Sequence, residues 1–193
     1  MKYRLAARAD VPAMLDIYRP YVERDTASFE YEAPSPAAFA ARFEAVTADF
    51  PWYVAEEGGA AVGFAYASRP FQRAAYQWDA ELSIYLAPQA RHKGIGSALY
   101  DRLEALMARL GYHNLYAIVT GDNAPSRRFH ERRGYVLEGL LKKAGYKSGK
   151  WYDVYWYTLA LAQDTAPTSS PKAFQPEKPD RDGHEKTEPN GSA

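Results

Sequence analysis

Between Asp79 and Leu110 the apolar period of the chain changes from two to between three and four, and the change falls across a stretch with two glycines. On the near side, Leu82, Ile84 and Leu86 alternate with Asp79, Glu81, Ser83 and Tyr85. That is a strand with one face in the core and one free to line a polar cleft. On the far side, Leu99, Leu103, Leu106, Met107 and Leu110 recur at helical spacing until Gly111, which can stop the helix. Leu115 to Thr120 then reads as a short buried strand. Strand, helix and strand in that order commit the chain to the α/β class.

The flanking segments extend the pattern. Asp10 can cap a helix with Pro12 in its first turn, and Met14, Ile17, Tyr18 and Tyr21 form its apolar stripe. Ser35-Pro36 starts a second helix bearing Phe39, Phe43 and Val46 on one face. Two β-rich runs from Pro51 to Arg69 surround Glu57-Gly58-Gly59, a hairpin. Asp122 or Asn123 can cap a helix that has Pro125 near its start and ends at Gly134. A strand from Tyr135 to Leu140 and an aromatic strand from Trp151 to Leu161 follow. The expected order is β-α-α-β-β-β-α-β-α-β-β, a mixed central sheet flanked by helices, in one domain over residues 1–163. From Asp164 the chain is rich in Pro, Ser, Thr and alternating charge, and residues 164–193 are expected to be a disordered tail.

Lys plus Arg and Asp plus Glu number 24 each in the 193 residues, so the balance points neither to nucleic acid nor to a polyanionic surface. The absence of cysteine excludes disulfides, zinc-thiolate sites and thiol nucleophiles, so any acyl transfer must be direct or use another group. No run approaches the roughly 18 apolar residues of a membrane span, and the N-terminus lacks a secretory apolar core. A cytoplasmic protein with no metal, no nucleic acid and no membrane partner is expected.

Arg91-His92-Lys93-Gly94-Ile95-Gly96-Ser97 sits where a strand feeds a helix, a place where free backbone N–H groups and the positive helix end converge on an anion. The spacing is not that of a nucleoside-triphosphate loop, which needs G-x-x-x-x-G-K-[ST]. Nor is it a dinucleotide fingerprint, since Leu99 holds the place of the third glycine.

The pattern [QR]-x-x-G-x-[GA] after "SIYLAP" instead resembles the pyrophosphate-binding motif of the GNAT superfamily of acyl-CoA N-acyltransferases. Asn123 after the next strand and Gly134-Tyr135 beyond it keep the order of that superfamily. "TASFEYEAPS", "RAAYQWDAELSIYLAP" and "LKKAGYKSGKWYDVYW" are similar to the phosphinothricin and methionine sulfoximine acetyltransferase group, over essentially residues 3–160. The resemblance implies acetyl transfer from acetyl-CoA to the α-amino group of an amino acid or close analogue. It places Arg91, His92, Lys93, Gly94, Ile95, Gly96 and Ser97 around the pyrophosphate, with Asn123 and Ser126 also on coenzyme A. Ile84, Tyr85 and Leu86 should line pantetheine, with the backbone N–H near Leu86 polarising the thioester.

An amine reaches the enzyme protonated and attacks only after a base accepts its proton. Glu81 is the candidate, on the polar face of its strand with Trp78, Leu82 and Ile84 around it, where desolvation raises a carboxyl pKa; the resemblance puts a catalytic Glu there too. A substrate carboxylate calls for a bidentate Arg. Arg73 matches the related position with Tyr76 nearby, and Arg69 serves instead if the loop aligns with a gap. The resemblance adds Phe29 as an aromatic wall, with Leu82 and Ser83 beside Glu81. In "FHERRGY", His130 stands where many of these enzymes carry a Tyr that protonates the leaving thiolate, so it is assigned an acid or supporting role. The aromatic run at Trp151 to Asp153 fits a homodimer edge, an acceptor rim or a core strand. The alternatives are acetylation of protein N-termini or lysines, and an acyl-CoA-binding regulatory domain without turnover.

Overall fold

In the computed structural model, which describes residues 1–162 and 166–175, seven strands and four helices follow the expected order. They are β1 (Lys2–Leu5), α1 (Val11–Glu23), α2 (Pro36–Thr47), β2 (Trp52–Glu57), β3 (Ala60–Ser68), β4 (Asp79–Leu86), α3 (Ile95–Leu110), β5 (Asn114–Thr120), α4 (Ala124–Arg132), β6 (Val136–Lys147) and β7 (Lys150–Ala160). The sheet order is β1-β2-β3-β4-β5-β7-β6. Only β4 and β5, joined through α3, run parallel; the other neighbours are antiparallel. Two-residue connections join β2 to β3 and β6 to β7, and Gly58 and Gly59 both take the positive φ that such a tight turn demands.

Both faces of the sheet are covered. Tyr18 of α1 meets Tyr85 edge-on, and Phe39 and Phe43 of α2 pack on Trp52 of β2. Leu99, Leu103 and Met107 of α3 are fully buried in the same core. The expected stripes are thus the packed ones, and burial of residues this large is the main stabilising term.

Three sequence expectations are altered. Asp10 stands at the start of α1 but does not cap it; its carboxylate accepts from the Arg4 guanidinium at 2.7 Å and from Ala7 N–H at 2.8 Å, tying β1 to the turn before the helix. Ser35 and Asn123 do cap, each accepting from the backbone three residues on at 3.2 Å. β6 runs well past Leu140, because register shifts at Leu137/Gly139 and Leu141/Gly145 absorb the residues that break the two-residue period. The stretch 166–175 lacks helix and strand but touches the domain: the Trp78 indole N–H donates to Ser169 O at 3.0 Å, Lys172 N–H donates to Leu110 O at 2.8 Å, and Phe174 is buried. The remainder of the expected tail lies outside the described residues.

Among the described residues no helix is long and apolar enough to cross a membrane, and no cluster of three or more His, Asp or Glu could hold a metal.

Candidate active site

β4 and β5 pair only through Asp79↔Asn114, Ala80↔Leu115 and Glu81↔Tyr116. Beyond Glu81 the strands part, leaving a slot of about 60 Å³ in the middle of the sheet, walled by Leu82 to Tyr85 on one side and Ala117 to Thr120 on the other. The phase of the β3–β4 ladder decides what faces it. Ala87 N–H donates to Val62 O at 2.9 Å, so the alternate residues Leu82, Ile84 and Leu86 turn their backbone groups away from β3, toward the gap. Leu86 is already served: the Tyr21 hydroxyl donates to its carbonyl at 2.6 Å and accepts from its N–H at 3.1 Å. The Tyr100 hydroxyl lies 3.3 Å from Leu82 O. The backbone of Ile84 remains as the pairing edge for a ligand that enters the slot. The Leu86 N–H, expected near an oxyanion, is bonded to Tyr21 in this structure.

The slot opens into a cleft of about 720 Å³ over the start of α3. Gly94 precedes the helix with φ +78°, and no side chain caps the first turn, so its N–H groups stay open to an anion. At Gly96 a Cβ would stand 3.3 Å from Ile84 Cδ1, so glycine lets the helix start sit close to β4. Arg91, His92, Ile95, Ser97, Asn123 and Ser126 line the cleft as expected. Lys93 does not; its ammonium points to Glu57, 4.0 Å away across the β2–β3 turn. Sequence reasoning missed Tyr21, Arg128 and Arg132, which also line the cleft. The four-residue spacing of the two arginines on one helix was the available signal.

Glu81 shares its sheet face with Tyr116, Ser83 and Tyr85, at the point where the strands begin to separate. Its carboxylate has no hydrogen bond or ion pair with any described residue, and burial pushes its pKa up to about 7. Next to it, Phe71 stacks on Trp156 at 5.8 Å, meets Tyr116 edge-on at 5.7 Å and touches Tyr76 at 4.6 Å. Ile118, on a central strand, is still 38% exposed, which marks open space over the sheet beyond these rings. Arg73 is exposed at the head of the turn that carries Tyr76 and forms no ion pair with a described residue. Arg69 lies toward Tyr112, whose pKa is raised by burial, a shift that the Arg69 charge only partly offsets. Phe29 is packed on Gly145 of β6 and lies 6.4 Å from Tyr152 of β7.

Two expected ligand-lining side chains face elsewhere. Leu82 is buried on the α3 face, opposite Glu81, so only its backbone reaches the slot. The Tyr85 ring packs among Tyr18, Tyr21 and Phe64 under α1. Ser83 bonds to the Tyr66 hydroxyl.

His130 is only 3% exposed. Ser126 O can only accept, so at 2.9 Å it fixes the imidazole proton on Nδ1, and Nε2 accepts from the Tyr100 hydroxyl at 3.0 Å. Burial lowers the His130 pKa to about 4 and raises that of Tyr100 well above the usual phenol range. At neutral pH the pair is an uncharged prop behind the slot.

A family model described as an acetyltransferase (GNAT) domain matches residues 3–156. The chain is a member of the GNAT family. It is therefore an acyltransferase, and the family inferred from the glycine loop is the one found. Among relatives, a phosphinothricin N-acetyltransferase of Streptomyces viridochromogenes is 37% identical over 157 residues, covering 81% of this chain and 86% of the relative. An L-methionine sulfoximine/L-methionine sulfone acetyltransferase of Salmonella typhimurium is 29% identical and covers 86% and 98%. Among solved structures, a phosphinothricin acetyltransferase from Sinorhizobium meliloti in complex with acetyl-CoA superposes with a TM-score of 0.84 at 38% identity, covering 88% of this chain and 94% of that one.

Proposed function

We propose that this GNAT enzyme transfers the acetyl group of acetyl-CoA to the α-amino group of a small amino-acid-like acceptor, by direct attack within a ternary complex. The observation that carries this reading is Glu81: an unpaired carboxylate raised to about 7, standing between the slot and the aromatic wall of the acceptor side.

In this mechanism the N–H groups at the start of α3, with Arg91, Arg128 and Arg132, hold the pyrophosphate. Glu81 accepts the proton of the incoming ammonium and leaves an amine able to attack. As the N–C bond forms, the thioester oxygen gains charge, and the Ile84 N–H donates to it. The tetrahedral carbon then expels coenzyme A as a thiolate, and the second proton of the attacking nitrogen, shed as the amide forms, passes to that sulfur. Neutral His130 holds the Tyr100 hydroxyl at the slot wall, and since neither residue gives up a proton readily the pair shapes the slot rather than protonating the sulfur. Arg73 pairs with the acceptor carboxylate, and Phe29 and Phe71 close around the acceptor side chain. The absence of cysteine accords with direct transfer.

A homodimer belongs to the same proposal. Val136, Leu137, Leu140 and Leu141 lie exposed along β6, the edge strand, with Tyr146 and Trp151 at its end, a band that a second copy would cover. Cytoplasmic location likewise remains a proposal, resting on composition.

The test is release of coenzyme A from acetyl-CoA with phosphinothricin, methionine sulfoximine, common amino acids, polyamines, an aminoglycoside and N-terminal peptides. Turnover confined to amino-acid-like amines, lost in Glu81→Gln, supports substrate class and base together. Turnover of peptides alone overturns the acceptor, and full activity of Glu81→Gln overturns the base.

A further inference from the structure

The connection between α1 and α2, residues 24–35, contains no helix or strand, yet Asp25, Thr26 and Ala27 edge the cleft and Ala27 also lines the slot. We propose that the end of β6, Gly145 to Lys147, positions the acceptor wall, with Lys147 anchoring this loop and Gly145 seating Phe29. The inference rests on the acetyl-transfer reading above, which makes Phe29 part of the acceptor site.

Lys147 is only 5% exposed, an uncommon place for an ammonium. Its Nζ donates to three backbone carbonyls, Val22 O at 2.7 Å, Asp25 O at 2.8 Å and Ser28 O at 2.6 Å. Three donors thus meet three acceptors, and the charge is offset without a direct carboxylate partner. Val22 lies in the last turn of α1, where carbonyls lack helical partners and the helix end is negative, so the cation also closes that helix. The other two carbonyls lie in the loop on either side of Thr26 and Ala27.

The two residues before Lys147 hold the same loop. Tyr146 O accepts from the Tyr31 hydroxyl at 2.8 Å. Gly145 has no left-handed backbone, but a Cβ there would overlap the Phe29 ring, so the missing side chain is the seat in which that ring rests. On the other side, Thr120 Oγ1 donates to Thr26 O and Thr26 Oγ1 donates to Asp122, both at 2.6 Å. The loop is thus strung between the slot, which fixes Thr26, and the end of β6, which fixes Ser28 to Tyr31. Lys147 touches no part of the slot, so it acts through the loop as a positioning residue.

Lys147→Met keeps the side-chain length and removes the charge and its donors. In the full-length protein, the KM for the best amino-acid acceptor should rise on the order of tenfold or more. The KM for acetyl-CoA should rise clearly less, because the loop only edges the cleft at Asp25 to Ala27 and the glycine cradle makes no contact with Lys147. Amide exchange across residues 22–31 should rise while α3 stays protected. The chain has no cysteine, so Lys147→Cys, alkylated with 2-bromoethylamine in denaturant and refolded, regains a lysine-length ammonium without competition from other thiols. That product should recover both acceptor KM and protection. Gly145→Ala leaves the ammonium in place and should shift preference among acceptor side chains; adding Phe29→Leu should relieve the overlap and much of the shift. Unchanged acceptor KM and exchange in folded Lys147→Met overturns the inference, as does an equal loss toward both substrates. Wild type that binds acetyl-CoA but acetylates no amine sinks the functional reading itself, whereas an active wild type with insensitive variants sinks this inference alone.

Discussion

The cleft over α3 and the half of the site beyond Glu81 draw their parts from the chain in different ways. Ile84 to Ser97, one unbroken stretch, supplies the slot edge, the glycine turn and the first helical turn. Its main tools are backbone N–H groups and two glycines, set by local conformation, to which α4 adds Arg128 and Arg132. The acceptor half gathers Phe29, Phe71, Arg73, Tyr116 and Trp156 from four separate regions of the chain, and its tools are side chains. A cradle made of backbone recognises what every donor shares, while a wall made of distant side chains can vary without disturbing it. Damage to the two halves should therefore separate kinetically.

Glu81 stands on the border, and its loss should have the largest effect. Glu81→Gln should cut kcat by roughly 10²–10⁴-fold with acetyl-CoA affinity little changed, as read by steady-state kinetics and calorimetry. The same substitution should stabilise the protein. A carboxyl raised from 4.5 to about 7 keeps its proton longer in the folded chain, so stability falls as pH climbs through that window. The gain from Gln should grow between those pH values, level off above about 7, and reach at most about 3 kcal/mol. For the wild type, kcat/KM should rise with pH through about 7. A flat profile, or no stabilisation, means the carboxylate has a partner in solution.

Gly96→Val and Arg73→Ala form the pair that most directly tests the contrast. The first forces side-chain bulk against Ile84 and Phe129, and should raise the acetyl-CoA KM on the order of tenfold with about 1–3 kcal/mol lost from stability. The second should raise the acceptor KM by about tenfold to a hundredfold and leave acetyl-CoA untouched. If either variant moves both constants together, the halves are not independent.

The legibility of the chain follows the same division. The β4–α3 unit could be read because period, glycines and helix stop all lie within a single stretch. Alternation put Glu81 on the polar face, but Leu82 and Ile84, expected around it, lie on the other face, and Tyr116, Ser83 and Tyr85 share its own. What escaped depended on partners far along the chain. Tyr21 takes the Leu86 backbone from 65 residues away, and nothing local marks that hydroxyl as its occupant. Leu82 was assigned to the acceptor as the neighbour of Glu81, although strand alternation turns it to the other face. β6 continues past the expected end at Leu140 because Asp153, which accepts from the Lys143 N–H at 2.9 Å and the Lys142 ammonium at 3.0 Å, keeps that bulged stretch on β7. His130 was placed correctly in sequence, but its neutral, two-sided hydrogen bonding exists only once α3 and α4 are side by side.

Smaller effects test the props behind each half. Tyr100→Phe removes the hydroxyl between His130 and Leu82 and should lower kcat by about threefold to tenfold with both KM values kept, and His130→Ala should do no more than that. A much larger loss in His130→Ala, with fold intact, would make the imidazole a direct participant. Removing residues 164–193 should cost about 1–2 kcal/mol, as seen in thermal unfolding, because Phe174 and the Trp78–Ser169 bond are lost, and should leave kcat unchanged.

The parting of β4 from β5 has a consequence for traffic. A sheet is ordinarily a barrier between two solvent compartments, but here the barrier is breached at its centre, with residues of both faces on the rim of the opening. On the proposed ternary-complex reading, the two reactants would enter from opposite sides of the sheet and meet inside the wall.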